Sequence, residues 1–178
     1  MLKISSSYFL HCLGFLTLKE LHQDIFKQLF LGRKLNSIKQ HIKPFIHQSL
    51  KKSLYVPAIK KLKMAKKNDH LISIVSNSPD FLVEPIAEYL GVDDCKATVY
   101  DIDKEGRFSK ISIFFEAKEK ADYLNVKCDR YNIAKDHVIA YSDSFLDLPF
   151  LKQAGIAVAV NPDRKLKKYS LKNNWEII

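Results

Sequence analysis

Three short runs constrain the fold of this chain more than anything else in it. They are "LISIVS" (residues 71–76), "HVIAYS" (137–142) and "IAVAVN" (156–161). Each has the length of a strand and ends in small polar residues. Each is apolar almost throughout rather than alternating, the pattern of parallel strands covered on both faces. Helical stretches separate them: "SPDFLVEPIAEYLG", "AKEKADYLNVKCDRYN", "FLDLPFLKQAG" closed by Gly155, and finally "DRKLKKYSLKNNW". "KATVYDIDKEGRFSKISIFF" reads as two strands joined by a turn at residues 103–106. Strands alternating with helices predict an open α/β sheet with crossover helices. Ligands in such sheets lie beyond the carboxyl ends of the strands.

The front of the chain follows a different period. Leu18, Leu21, Ile25 and Leu29, then Leu35, Ile38, Ile42, Phe45 and Ile46, recur at spacings of three and four. That is the mark of helices with one buried face, punctuated at Gly32 and Pro44. "YFLHCLGFLTL" (residues 8–18) is interrupted by His11 and lacks a small-residue cleavage site. It reads as an amphipathic helix rather than a signal-peptide core.

Charge divides the chain at the same place. Residues 1–70 hold 14 Lys/Arg and three Asp/Glu, a net +11, whereas residues 71–178 net −2. A basic face attracts phosphate backbones and anionic membranes, so a basic helical module for either partner is one reading. The lysines are spread around the helices, however, with no aromatic stacking surface and no nucleic-acid motif. The milder reading is a basic layer that steers anionic substrates, and nucleic acid is not the expected partner. Cys12, Cys95 and Cys128 form no CxxC pattern, which points to a reducing, cytoplasmic setting rather than a disulfide framework. No apolar run reaches the ~18 residues of a membrane span.

Polar residues cluster at the strand ends: Ser76, Asn77 and Ser78; Ser142, Asp143, Ser144 and Asp147; Asn161 and Asp163. Asp143 and Asp147 are four positions apart, so on one helix both carboxylates face the same crevice. Two carboxylates and water suit Mg²⁺, which shares its shell with phosphate. Ser76 and the amides of Asn77 and Ser78 suit a phosphate oxygen at a helix N-terminus. Lys120 can add a point charge. Taken singly, each Ser or Asp is ordinarily a helix cap and Lys120 a solvated side chain. Their shared location at three strand ends raises them above that reading.

The order "ISIVSNSPDFLVEPIAEYLGV", "EKADYL", "VIAYSDSFLDLPFLKQAGIAVAVNPDRKLKKYSLKNNWEII" resembles the haloacid dehalogenase (HAD) superfamily, in particular its phosphoserine-phosphatase-like hydrolases. The resemblance implies a Rossmannoid parallel sheet over residues 56–178 and a helical cap over residues 1–55. It implies Lys120 and Asp147 as catalytic, Ser76, Asn77 and Lys120 as phosphate-binding, and Asp143 and Asp147 as Mg²⁺ ligands. The implied reaction is hydrolysis of a small phosphate monoester through an aspartyl-phosphate, with one Asp attacking and a second acting as acid and base. Both belong to a D-x-D-x-T motif on a first, central strand, and no such motif occurs here. "MLKISSSYFLH" resembles the family's segment just after that motif, so the first strand is expected to be missing and turnover to be crippled. A phosphate-binding remnant without turnover is the alternative. Asp101 and Asp103 form a D-x-D, but "DKEG" after it reads as a hairpin turn.

Overall fold

The computed structural model describes Leu10 and residues 13–178. The helix expected over residues 8–18, with Cys12, lies mostly outside them. Helix α1 (Leu18–Leu29) starts at Thr17, whose hydroxyl accepts the Glu20 N–H while the Glu20 carboxylate accepts the Thr17 N–H. This capping box satisfies helix-end donors from both sides. Gly32, at φ +76°, takes the left-handed turn that only glycine makes without strain, and α2 (Leu35–Phe45) comes next.

Pro44 does not end α2. It lies in the last turn, and the chain continues as a π-helical turn (Ile46–Leu50) and a short α3 (Lys51–Ser53). Proline removes one helix donor, and the turn after it is the wider one. Helix α4 (Val56–Lys67) completes the front part.

The buried face of these helices differs from the expected one. Leu21, Phe26, Ile42 and Ile46 are buried, whereas Leu29 and Phe45 are exposed. The reason is the partner surface. Phe26, with Phe30 beside it, meets Tyr100, Phe81 and Phe108 edge-on or tilted, with centroids 4.9–6.1 Å apart within that cluster. Aromatic rings favour these arrangements.

Strand β1 (Ser73–Pro79) leads into helix α5 (Asp80–Leu90), closed by Gly91 in the left-handed conformation. Strand β2 (Asp94–Ile102) pairs parallel with β1, Ile74 opposite Cys95, and antiparallel with β3 (Phe108–Ile113). The hairpin between β2 and β3 is the predicted turn. The Asp103 carboxylate accepts the N–H groups of Glu105 and Arg107 in the turn, whereas Asp101 lies on β2 and its carboxylate accepts the Ser112 hydroxyl of β3 at 2.7 Å. The front helices are tied to this hairpin by Gly32 N–H to Phe108 O, Leu35 N–H to Gly106 O, and Phe108 N–H to Arg33 O.

Helix α6 (Ala117–Tyr131) then leads to β4 (Ile139–Ser142), a 3₁₀ turn (Phe145–Asp147), helix α7 (Leu148–Leu151) and β5 (Ile156–Ala159). Helix α8 (Arg164–Lys172) and a two-residue strand, β6 (Glu176–Ile177), close the chain. The single helix expected over residues 145–154 is thus two short pieces. Gly155 does not cap it through a positive φ; a Cβ there would lie 2.5 Å from the Asp136 Cα. Glycine is needed because two backbones touch.

The fold is α/β with parallel strands, as expected. Among the described residues, the strands form two three-stranded sheets, β1-β2-β3 and β4-β5-β6, rather than one continuous sheet. The second sheet packs Ala140, Ala157 and Ala159 against Leu124, Cys128, Leu151 and Leu166. Among the described residues, no helix is long and apolar enough to cross a membrane.

Candidate active site

The ends of β1 and β4 and the first turns of α6 meet around a polar cavity of about 370 Å³. Its walls include all five residues singled out in the sequence: Ser76, Asn77, Lys120, Asp143 and Asp147. Leu18, at the start of α1, also lines it.

Lys120 is the fourth residue of α6 and is buried. Its Nζ lies 2.7 Å from Asp147 Oδ1. The other carboxylate oxygen, Oδ2, accepts the Ser142 hydroxyl at 2.7 Å. Asp147 is therefore held at both oxygens, and Lys120 points at the cavity with its charge balanced. Burying two charges is costly unless both are paired and hydrogen-bonded, and here both are.

Asp143 and Asp147 do not share a helix, because Asp143 precedes the 3₁₀ turn that carries Asp147. The two still line one cavity. Asp143 is exposed, and its carboxylate has no hydrogen bond or ion pair to the described residues. An exposed, uncommitted carboxylate beside a second acid suits a hard cation that keeps most of its water. Asp143 can anchor Mg²⁺ directly, while Asp147 is already engaged with Lys120 and Ser142. Among the described residues no group of three or more His, Cys, Asp or Glu surrounds the site, so protein alone would not cage the ion.

Ser76, Asn77 and Ser78 do not stand at a helix N-terminus as expected. They belong to the irregular end of β1, where pairing to β2 shifts register between Val75 and Pro79, and α5 starts only at Asp80. The Ser76 hydroxyl accepts the Ser78 N–H at 3.1 Å, closing a local turn. Thr98 fixes this turn from below. It is fully buried, donates to Asn77 O at 2.7 Å and accepts the Phe115 N–H at 3.1 Å. Nothing in the sequence marked Thr98, which reads as an ordinary strand residue. Ser142 stood out only as one of several strand-end hydroxyls.

Asp163 braces the other side. Its carboxylate caps α8 through the Leu166 N–H at 2.8 Å and accepts the Phe145 N–H at 2.7 Å. Partial burial pushes its carboxyl up, but the backbone N–H groups of Leu166, Phe145 and Lys165 outweigh that and hold it below the usual carboxylate range.

Residues 6–152 match the haloacid dehalogenase-like hydrolase family. A probable phosphatase of Mycobacterium tuberculosis is 31% identical over 107 residues, which cover 60% of this chain and 37% of that protein. The chain spans about half the length, or less, of the curated relatives it first matches. A Bordetella pertussis protein of unknown function superposes with a TM-score of 0.85 at 21% identity, over 98% of this chain and 79% of its own. A probable phosphoserine phosphatase from Vibrio cholerae gives 0.72 at 16% identity, over 93% and 49%. The family match spans most of the chain, and phosphoserine phosphatases are among the structures that share its fold: the chain belongs to the haloacid dehalogenase-like hydrolases.

Proposed function

We propose that this chain supplies the phosphate- and metal-holding part of a Mg²⁺-dependent hydrolase of small phosphate monoesters. The observation that carries this reading is the buried Lys120–Asp147–Ser142 network facing the same cavity as Ser76 and Asp143. In it, Ser76 and the Asn77–Ser78 turn receive phosphoryl oxygens, and Lys120 adds a charge fixed in direction by Asp147. Bound at Asp143, Mg²⁺ would neutralise the remaining phosphoryl charge. Asp147 acts by positioning Lys120 and, on a hydrated ion, by accepting hydrogen bonds from its water. The free thiols Cys95 and Cys128 suit a reducing, cytoplasmic setting.

The sequence contains no D-x-D-x-T; Asp103 is held in the hairpin turn and Asp101 is engaged by Ser112 of the facing strand. This favours binding without cleavage for the chain of this sequence. Calorimetry with phosphoserine and with inorganic phosphate, with and without Mg²⁺, tests the proposal. The expected result is binding strengthened at least tenfold by Mg²⁺, an effect lost in Asp143→Asn, with no phosphate released. Binding indifferent to both Mg²⁺ and Asp143→Asn would overturn the site assignment. Mg²⁺-dependent release of phosphate would overturn the absence of turnover.

A further inference from the structure

Helix α8 carries a concentration of positive charge that its surroundings do not balance. Arg164, Lys165, Lys167, Lys168 and Lys172 are all exposed on it. No acidic residue occurs from 164 to 175, although residues 71–178 as a whole net −2. Among the described residues, none of the five cations forms an ion pair. The two acids that flank the helix are engaged elsewhere. Asp163 accepts the N–H groups of Phe145 and Leu166, and Glu176 pairs with Lys61 at 2.6 Å.

These charges work against the helix that carries them. Arg164, Lys168 and Lys172 stand four positions apart on one face, and like charges at that spacing repel. Arg164 and Lys165 lie in the first turn, where the helix dipole disfavours cations. The opposite face is fixed, because Leu166 and Ser170 are fully buried. Leu171 therefore points outward with the cations and is 63% exposed. An anionic surface would relieve the repulsion.

Two kinds of anionic surface are common, and the rest of the face separates them. Nucleic acid offers phosphates to the lysines, but its unpaired bases need open aromatic faces. The rings here are committed: Tyr169 packs against Phe145 and Trp175 and lies under the Lys152 ammonium, 5.3 Å from the ring centre. Phosphate contacts would also leave Leu171 in water. A bilayer with acidic lipids takes the cations at its headgroups and an apolar side chain just beneath them. We propose that the outward face of α8 is a peripheral docking surface for anionic lipid bilayers. The helix docks from outside and does not insert, since Leu166 and Ser170 stay in the core. The surface depends on α8 and not on the proposed function.

Vesicle flotation of the full chain tests this. The probes are vesicles of phosphatidylcholine alone and of phosphatidylcholine with phosphatidylglycerol. Binding should require phosphatidylglycerol and weaken at least tenfold when salt shortens the range of surface charges. The double variant Lys168→Gln/Lys172→Gln should bind at least tenfold more weakly, and Leu171→Ser severalfold more weakly. Lys39→Gln/Lys43→Gln, which removes two exposed charges from α2, should stay within about twofold of the parent, because screening confines the attraction to nearby charges. The urea midpoint of the α8 variant should hold or rise as the like-charge row is broken. Equal losses in the α8 and α2 variants would overturn the proposal, by showing attraction through net charge alone. Binding to neutral vesicles, tighter binding to duplex DNA through the same lysines, or a lowered urea midpoint would overturn it as well.

Discussion

The two sheets build their interiors from different residues. Around β1-β2-β3, the core is aromatic: Phe26, Phe81, Tyr100 and Phe108, with Phe30 partly buried beside them. Around β4-β5-β6, it is made of alanines and leucines, with Ala140, Ala157 and Ala159 under Leu151 and Leu166. Large rings fill the space between a hairpin and helices that cross it, and their contacts tolerate small shifts. Small residues bring backbones close, as at Gly155 against Asp136, and leave no slack. The close-packed sheet is the one whose strand end carries Asp143 and Asp147. Rigidity is placed where charges must be aimed to within fractions of an ångström.

The largest effect is expected inside the alanine-and-leucine half, where α6 meets the turn that carries Asp147. Lys120→Ala leaves Asp147 buried without its cation, and the expected loss is about 3–5 kcal/mol, read by urea unfolding. Lys120→Met with Asp147→Leu should recover most of it, because an apolar pair of similar volume needs no charge compensation. Failure to recover would mean that the site's geometry, not its charge balance, holds α6 to the turn that carries Asp147.

Phe108→Ala in the aromatic half should cost about 3–5 kcal/mol through cavity formation, yet leave phosphate binding at the polar cavity within about twofold of its starting value. If phosphate affinity falls with stability, the halves are one mechanical unit and do not differ in rigidity. Gly155→Ala in the alanine half should cost about 1–3 kcal/mol by overpacking and weaken phosphate binding as well, because β4 and β5 must part.

The smallest effect is expected at Asp163. Asp163→Ala should cost about 1 kcal/mol as a lost helix cap. Its folded carboxyl lies below the usual range, so its contribution is complete above the unfolded value of about 3.9. That contribution is lost as pH falls through the depressed folded value. Urea midpoints measured from pH 5 down to pH 2 should fall less steeply for Asp163→Asn than for the parent chain.

Much of this was legible beforehand because it rests on local rules. The apolar runs became β1, β4 and β5, the D-K-E-G segment became a turn, and the five site residues share one cavity. The features that escaped depend on neighbours. The buried face of α1 moved to Phe26 because the aromatic hairpin was there to receive it, and no helical period reports a partner. Asp143 and Asp147 meet across a 3₁₀ turn, not along a helix, because Ser144 is extended. Thr98 holds the Asn77 turn from a strand 21 residues away, a bond that only tertiary structure creates. The division into two sheets depends on which edges find partners, and strand patterns alone do not specify pairing.

Asp163 also ties two motions together. One carboxylate receives the Phe145 N–H of the site turn and the Leu166 N–H of α8, so neither bond can open by a large displacement without disturbing the other. Backbone amides linked in this way open together. In native-state hydrogen exchange, Phe145 and Leu166 should share one opening free energy, and the turn that carries Asp147 should fluctuate on the clock of the last helix.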